Sequence, residues 1–390
     1  MGVLRLVTAG ESHGPGLTAI VEGLPAGLEL DRAAIDADMA RRQLGHGRGG
    51  RMKIERDSAE VTSGVRHGMT LGGPISLTVA NRDYANWEER MNPWPVDATV
   101  PEVHLPRPGH ADLAGVQKYG FTDVRNVLER ASARETAARV AGGALAKAFL
   151  RAVGVEVVSH VVQIGDVRAE PRDDLALSDF AAVDESPVRC LDADTSRAMV
   201  AEINVLRKRN ESLGGVFELR AFGVVPGLGS HVSWEERMDG RIGMALLSIQ
   251  ACKGVGLGDG FDLAGRPGSA AHDEIFWSQD RGWYRETNRS GGLEGGMTTG
   301  EPLVVRAAMK PLPTLTKPLR SVDISTHEPA QALRERTDSV VVPAAGVVGE
   351  AMLALVLASA YRQKFGGDHI EDVRTAVDAY ERRIGWRRSA

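Results

Sequence analysis

Short apolar runs alternate with glycine-rich breaks along most of the chain, and the period of each run assigns it to strand or helix. Residues 3–8 (VLRLVT) and 17–22 (LTAIVE) have strand composition and flank the loop AGESHGPG. PAGLELD reads as a turn and a short strand, and the pattern predicts a helix over Arg32 to Gln43. GHGRGGR at 45–51 is loop by composition. Residues 52–80 read as short strands broken by Gly and Asp, with TLGGPISLTVAN the clearest. From Asn81 to Pro108 the period fails, and Trp and Pro follow in quick succession. An irregular segment of that length points to a functional loop or a lid.

Periodicity returns with a helix predicted from Ser132 to about Val153, rich in Ala and Gly (AGGALAKAF), and with the strand-like VEVVSHVVQIGDV. A helix near 194–209, strands around 214–225 and a helix near 235–249 follow, then a glycine loop, KGVGLGDGF. Residues 268–300 are loop-rich and end in SGGLEGGMTTG. Strand PLVVRAAMKP precedes a Thr/Pro segment and a last small-residue helix at about 344–364. Small residues on every face suit a helix packed on all sides. Two such helices, each with strands before and after, predict an α+β fold with helices between sheets. No linker divides the chain, so residues 1–390 read as one domain. The most apolar run, Val340 to Tyr361, contains Pro343, Gly346 and Glu350 and reads as a strand end and a buried helix, not a membrane span.

The segment ERASARETAAR at 129–139 stands apart. Ser132 and Glu135 have the S-x-x-E spacing of a capping box, which starts the helix at Ser132. Arg130 then precedes the helix and Arg134 lies in its first turn, where unpaired N–H groups and the macrodipole are already positive. Each such charge costs about 0.3–1 kcal/mol unless an anion sits there. A solvated turn and a polyanion site are the two readings of this segment by itself.

Composition narrows the choice. Hydrophobic residues at 43% and charged residues at 25% are ordinary for a globular protein, whereas 45 glycines are many. The net charge of −5 argues against a long nucleic-acid footprint. Of the 47 basic residues, 8 are lysine and 39 arginine, the side chain suited to bidentate grip of phosphate and carboxylate. Coding bias also produces such an excess. The two cysteines, Cys190 and Cys252, are far apart and lack metal-type spacing, which fits a reducing cytoplasm. The N-terminus MGVLRLVTAGESHG lacks the pattern of a signal peptide.

Several segments could carry chemistry, and each has a bland alternative. Gly10-Glu11-Ser12-His13-Gly14 puts a histidine in a tight loop between strands, either as a surface residue or as a proton carrier near neutrality. Arg107-Pro-Gly-His110-Ala-Asp112 pairs an anion grip with a proton donor, or is a turn capped by Asp112. Arg42, Arg48 and Arg51 bracket a glycine loop that otherwise resembles a short RGG-type nucleic-acid segment. GVGLGDG at 254–260 lacks the dinucleotide-fold spacing, and the chain has no Walker lysine in context. Arg336-Thr337-Asp338 precedes the last buried helix as a turn or a site.

Taken together, GESHG with GLTAIVEGLPAG, RPGHAD with KYG, RASARETAARVAGGALAK, GGLEGGMTTG and RTDSVVVPAAGVVGEAM resemble the signature segments of chorismate synthases, in that family's order from residue 8 to residue 352. The resemblance implies a shikimate-pathway lyase that eliminates phosphate and a ring hydrogen from 5-enolpyruvylshikimate 3-phosphate to give chorismate. It also implies a requirement for reduced FMN, although the reaction has no net redox change. The family fold is a β-α-β sandwich of two antiparallel sheets around a helical layer, assembled as a homotetramer.

By position, the resemblance makes His110 the acid that protonates departing phosphate beside Arg107. It sets His13 against the flavin ring and Asp338 at the flavin nitrogen that accepts hydrogen. Arg42, Arg48, Arg107, Arg134 and Arg336 become substrate grips, with hydroxyls from Ser12 and Ser132. Arg42 and Arg48 also match positions of NADP contact. Flavin contacts fall on Arg130, Ala131, Ser132, Gln250, Ala251, Gly295, Lys310, Pro311, Leu312, Pro313, Thr314 and Arg336. One departure is VRNVLE, where many members carry a glycine run, so flavin contacts at 130–132 are expected to differ. The matching segments include no added flavin-reductase domain, which implies a separate reductase, with NADPH as a candidate reductant. The alternatives are a flavin-dependent reductase using the same anion pocket and a non-enzymatic RNA binder.

Overall fold

In a computed structural model, which describes residues 4–49, 56–335 and 338–387, strands β1 (Arg5–Ala9) and β2 (Gly16–Glu22) pair around the first glycine loop. With β3 (Glu60–Ser63) and β4 (Ile75–Ala80) they form an antiparallel sheet of order β1-β2-β4-β3. A second antiparallel sheet contains β5 (Glu156–Ile164), β6 (Val167–Arg168), β7 (Gly215–Phe222), β8 (Cys252–Leu257) and β9 (Leu303–Met309), in the order β8-β9-β7-β5-β6. The helices of seven residues or more among the described residues are α1 (Arg32–Gln43), α2 (Asp112–Tyr119), α3 (Arg125–Ala131), α4 (Thr136–Ala152), α5 (Ala193–Lys208), α6 (Met238–Leu247), α7 (Val342–Phe365) and α8 (Ile370–Ile384).

Helix α4 packs on the first sheet through β1, β2 and β4, α7 packs on the second through β5 and β7, and α4 lies against α7. Small residues make this crossing possible: a Cβ on Gly143 would stand 2.3 Å from the Cβ of Ala351. Buried side chains from Leu4 to Val377 form one connected apolar core. Helix α7 is long and apolar enough to cross a membrane, but 83% of its most apolar window is buried in the fold. Its apolar run carries Glu350, 1% exposed, which accepts from Arg41 (2.8 Å from both Nη atoms), Lys147 Nζ (2.9 Å), Ser159 Oγ (2.7 Å) and Arg189 Nη2 (3.1 Å). Burial opposes the charge, but these cations hold the Glu350 carboxyl far below the usual range. The network fastens α1, α4 and β5 to α7.

Three expectations need correction. KGVGLGDGF is not a loop throughout: its first half is edge strand β8, antiparallel to β9 with an irregularity between Cys252 and Gly254. An edge strand asks only for backbone pairing, which glycine supplies. Helices α2, α3 and α8 were not expected. The first two are short, and α3 takes in most of VRNVLE, the segment where the sequence departs from the resemblance. The capping box is also absent: Ser132 Oγ accepts from Arg134 N at 3.3 Å, and residues 133–135 form a 3₁₀ turn before α4 begins at Thr136. Glu135 turns instead to Thr8 Oγ1 (2.7 Å), Arg139 Nε (2.8 Å) and Gln250 Nε2 (3.2 Å).

Candidate active site

The sheet and helix ends converge on a cavity of about 720 Å³. The β1–β2 loop enters it because Gly10 takes φ +105°, and a Cβ there would stand 2.3 Å from the Gly16 carbonyl. Asn81, at the end of β4, clamps this loop by donating from Nδ2 to the Glu11 and Gly14 carbonyls at 3.0 and 2.8 Å. Ser12 Oγ meets Ser132 Oγ at 3.2 Å, so the loop is tied to the start of the α4 segment.

His13 is held from three sides. Its Nδ1 lies 2.9 and 3.0 Å from the two Glu129 oxygens, and its backbone N–H donates to Glu129 Oε2 at 2.9 Å. The imidazole stacks on Trp87, centroids 4.0 Å apart. Arg125 donates to Glu129 at 2.7 Å and stands 5.0 Å from the Trp87 centroid. Burial opposes the Glu129 charge, yet the bonds from His13 and Arg125 draw its pKa below the usual range.

His110 belongs to a second group. Asp112 opens α2 with a fully buried carboxylate that accepts from Arg107 N (3.0 Å) and Nε (2.8 Å), while its Oδ1 lies 2.5 Å from His110 Nδ1. Arg107 Nη1 donates to Thr314 and Glu335, both at 3.1 Å. Despite burial, the His110 and Arg107 bonds hold the Asp112 pKa far below the carboxylate range.

The third group is an arginine pair on one carboxylate. Asp57, its side chain fully buried, accepts from Arg42 Nη2 and, at 2.5 Å, from Arg134 Nη1. Arg134 Nε also donates to Asn81 Oδ1 at 2.8 Å. Burial and the charge of Arg134 push Arg42 down to about 10 despite Asp57. Arg134 is therefore a buried, counter-charged residue and not an exposed cation at a helix start. Arg130 lies in the last turn of α3, where the dipole favours cations, and donates to the Thr8 and Gly10 carbonyls. Nearby, Arg48 pairs with Asp338 at 3.1 Å, and Asp338 also accepts from Gly49 N.

Seven basic side chains and two acidic ones line the cavity, with Asp57, Asp112 and Glu129 behind them, so positive charge remains in excess. The rest of the lining includes Leu128, Ile249, Val341 and Val348, an apolar surface fit for a flat ring. Gln250 Oε1 and Arg42 Nε are buried and have no hydrogen-bond partner among the described residues. An unmet acceptor beside apolar side chains fits a heteroaromatic ring bearing N–H groups, as a reduced flavin does. Lys310, which donates to the Gly109 carbonyl at 2.9 Å, adds a cation suited to a phosphate tail.

Residues 4–361, which carry this cavity, match the family model of chorismate synthase. The chain belongs to the chorismate synthase family. A chorismate synthase from Symbiobacterium thermophilum is 56% identical over 391 aligned positions, covering 98% of this chain and all of that protein. One from Rubrobacter xylanophilus is 56% identical over 378, covering 97% and 96%. A crystal structure of a chorismate synthase superposes with a TM-score of 0.79 at 43% identity, covering 98% of each chain. Chorismate synthases are lyases of aromatic amino-acid biosynthesis that act on a small-molecule substrate with the help of reduced flavin.

Of the residues expected from the chorismate synthase resemblance, the cavity gathers Ser12, His13, Arg42, Arg48, Arg107, His110, Ala131, Ser132, Arg134, Gln250, Ala251, Lys310, Leu312, Pro313, Thr314 and Asp338. Arg130, Pro311 and Gly295 do not line it, and Gly295 turns the hairpin between Leu293–Glu294 and Met297–Thr298. Arg336 and Arg51 lie outside the described residues. Asp57, Asn81, Trp87 and Glu129 were not anticipated. Asp57 lies 77 residues from Arg134, and Glu129 lies 116 from His13. Trp87 carried a weak signal as one of three aromatic residues, with Tyr84 and Trp94, in the irregular 81–108 segment.

Proposed function

We propose that this cavity binds 5-enolpyruvylshikimate 3-phosphate beside reduced FMN and eliminates phosphate and a ring hydrogen to give chorismate. The observation that carries this reading is the convergence of His13, His110 and four arginines (Arg42, Arg48, Arg107, Arg134) on one cavity with an apolar face. A substrate with a phosphate and two carboxylates uses that charge, each charge-assisted bond contributing about 1.5–3 kcal/mol. Reduced flavin, when bound, supplies the transient electron density that helps phosphate leave and takes up the ring hydrogen.

The chain's own residues do the rest. Arg107, fixed on Asp112, holds an anionic oxygen beside His110, and His110 gives that oxygen its proton as the C–O bond breaks. Arg42, Arg48 and Arg134 hold the other anionic groups, with Ser12 and Ser132 as hydroxyl donors. His13, held by Glu129 and Trp87, balances protons at the flavin. Asp338 serves the flavin nitrogen that accepts hydrogen. Ala131, Gln250, Ala251, Lys310, Leu312, Pro313 and Thr314 form the flavin seat. The same reading takes residues 1–390 as one domain in the family's β-α-β sandwich, working as a cytoplasmic homotetramer. A separate reductase using NADPH supplies the reduced flavin, and Arg42 and Arg48 are the candidate nicotinamide-phosphate contacts.

The test is an anaerobic assay of the pure protein with reduced FMN and the enolpyruvyl substrate. Chorismate and inorganic phosphate should form in equal amounts, and no turnover under these conditions overturns the reading. Steady NADPH oxidation without that substrate would instead mark a flavin reductase.

A further inference from the structure

We propose that Asp112 is a positioning residue that sets the ring polarity of His110, committing the Nδ1 proton to itself and leaving Nε2 to exchange protons with the substrate. This rests on the reading of His110 as the proton donor and goes beyond it.

The argument begins with what each atom can offer. Asp112 accepts from Arg107 N at 3.0 Å, Nε at 2.8 Å and Nη2 at 3.2 Å, with its carboxylate fully buried. Those donors keep it ionised, so it has no proton to give. His110 Nδ1, 2.5 Å from Asp112 Oδ1, must therefore carry the hydrogen between them. The alternative tautomer would set a ring lone pair against a carboxylate oxygen. Arg107 Nη2, 3.1 Å from Nδ1, is also only a donor and finds no lone pair there. Nε2, 3.4 Å from Arg107 Nη2, is then the nitrogen that binds or releases the transferred proton.

Charge gives the same answer. When His110 is protonated, imidazolium and guanidinium stand in contact. Asp112 is the carboxylate that touches both, whereas the Glu335 contact is with Arg107 Nη1 alone. In the transfer, the Nε2–H bond breaks and an O–H bond forms on the departing phosphate. Nδ1–H stays on Asp112, and the neutral ring is left in the tautomer that can take its next proton at Nε2. The carboxylate is fixed by the first turn of α2, so the ring has one orientation.

The test is a double-mutant cycle on the full-length enzyme with reduced FMN. D112N should lower turnover about 10–100-fold. Added to H110A, it should cost clearly less than in the wild-type background, because the part that acts through the ring is already gone and only the hold on Arg107 remains. Wild-type turnover in D112N, or the same fractional loss in the H110A background, overturns the proposal. The second result would assign Asp112 to Arg107 alone. If H110A is itself as active as the wild type, the proton-donor reading of His110 fails. H110A impaired with D112N fully active fails only the inference about Asp112. Should D112N not fold, ¹⁵N NMR of imidazole-labelled wild-type protein decides, with H110A as the assignment control. Neutral His110 protonated at Nδ1 is expected, and protonation at Nε2 overturns the inference.

Discussion

Glu129 binds His13 twice, by the ring and by the backbone, with Nδ1 and the peptide N–H both 2.9 Å from the same Oε2. One carboxylate on α3 thus fixes the loop and the imbalance of donor and acceptor at the ring. Glu129→Gln keeps the shape but brings an amide N–H against one of these donors. Turnover should fall by about tenfold or more with a smaller change in substrate affinity, as for a positioning residue. Steady-state turnover and equilibrium substrate binding check it together. Unchanged turnover would show that stacking on Trp87 is enough to hold the ring.

Gln250 Oε1 is a buried acceptor that the described residues do not satisfy. A ligand N–H that meets it would contribute about 1–2 kcal/mol, so Gln250→Leu should weaken reduced-FMN binding by about 5–30-fold. The same change relieves an unmet polar atom but removes the Nε2 bond to Glu135, which keeps Thr8 and Arg139, so the ligand-free protein should lose no more than about 1 kcal/mol. Anaerobic flavin titration and a melting curve separate the two effects. Equal flavin affinity in the variant would place this amide away from the ring.

The pattern of apolar positions gave the scaffold because its elements bury continuous faces. Helix α1 runs over the expected residues, and α7 begins within two residues of the expectation and ends one beyond it. Helices α2 and α3 were missed because tertiary contacts stabilise them: Val116, Val124 and Leu128 form a small separate core with few apolar positions to betray a period. In the site, the histidines and arginines were legible as residue types that phosphate chemistry needs. Their counter-charges were not. Asp57 and Glu129 are ordinary carboxylates in sequence, and only the fold brings them to their partners. The same blindness misread Arg130 and Arg134 as costs at one helix start, when one ends the preceding helix and the other is neutralised inside.

Acid should destabilise the fold in part through one buried carboxylate, whose contribution is lost while ordinary surface carboxyls titrate and below that range. Glu218 on β7 is 2% exposed; although burial raises its pKa, bonds and charges from His160, Arg220 and Arg306 lower it to about 2. A depressed folded-state pKa means its contribution is complete above the unfolded value near 4.5 and is lost as pH falls toward 2. The full difference corresponds to roughly 3 kcal/mol. Glu218→Gln should be less stable at neutral pH and show a shallower loss of stability between those limits. Urea melts from pH 7 to pH 3 test this, and parallel curves for both proteins would contradict it.

Asp57 sets a sharper test, because it holds two guanidinium groups that the substrate is expected to use. Asp57→Asn leaves Arg42 and Arg134 buried, close together and without their shared counter-charge. Breaking a buried pair of this kind costs about 3–5 kcal/mol, so the ligand-free variant should melt well below the wild type. An anion that enters the cavity replaces the missing charge. Inorganic phosphate or the enolpyruvyl substrate should therefore raise the melting temperature of the variant more than that of the wild type, by the linkage between binding and stability. Substrate affinity at saturating flavin should hold or improve, since Asp57 no longer competes for the arginines. If phosphate stabilises both proteins equally, the two arginines do not face the ligand and Asp57 has a purely structural part.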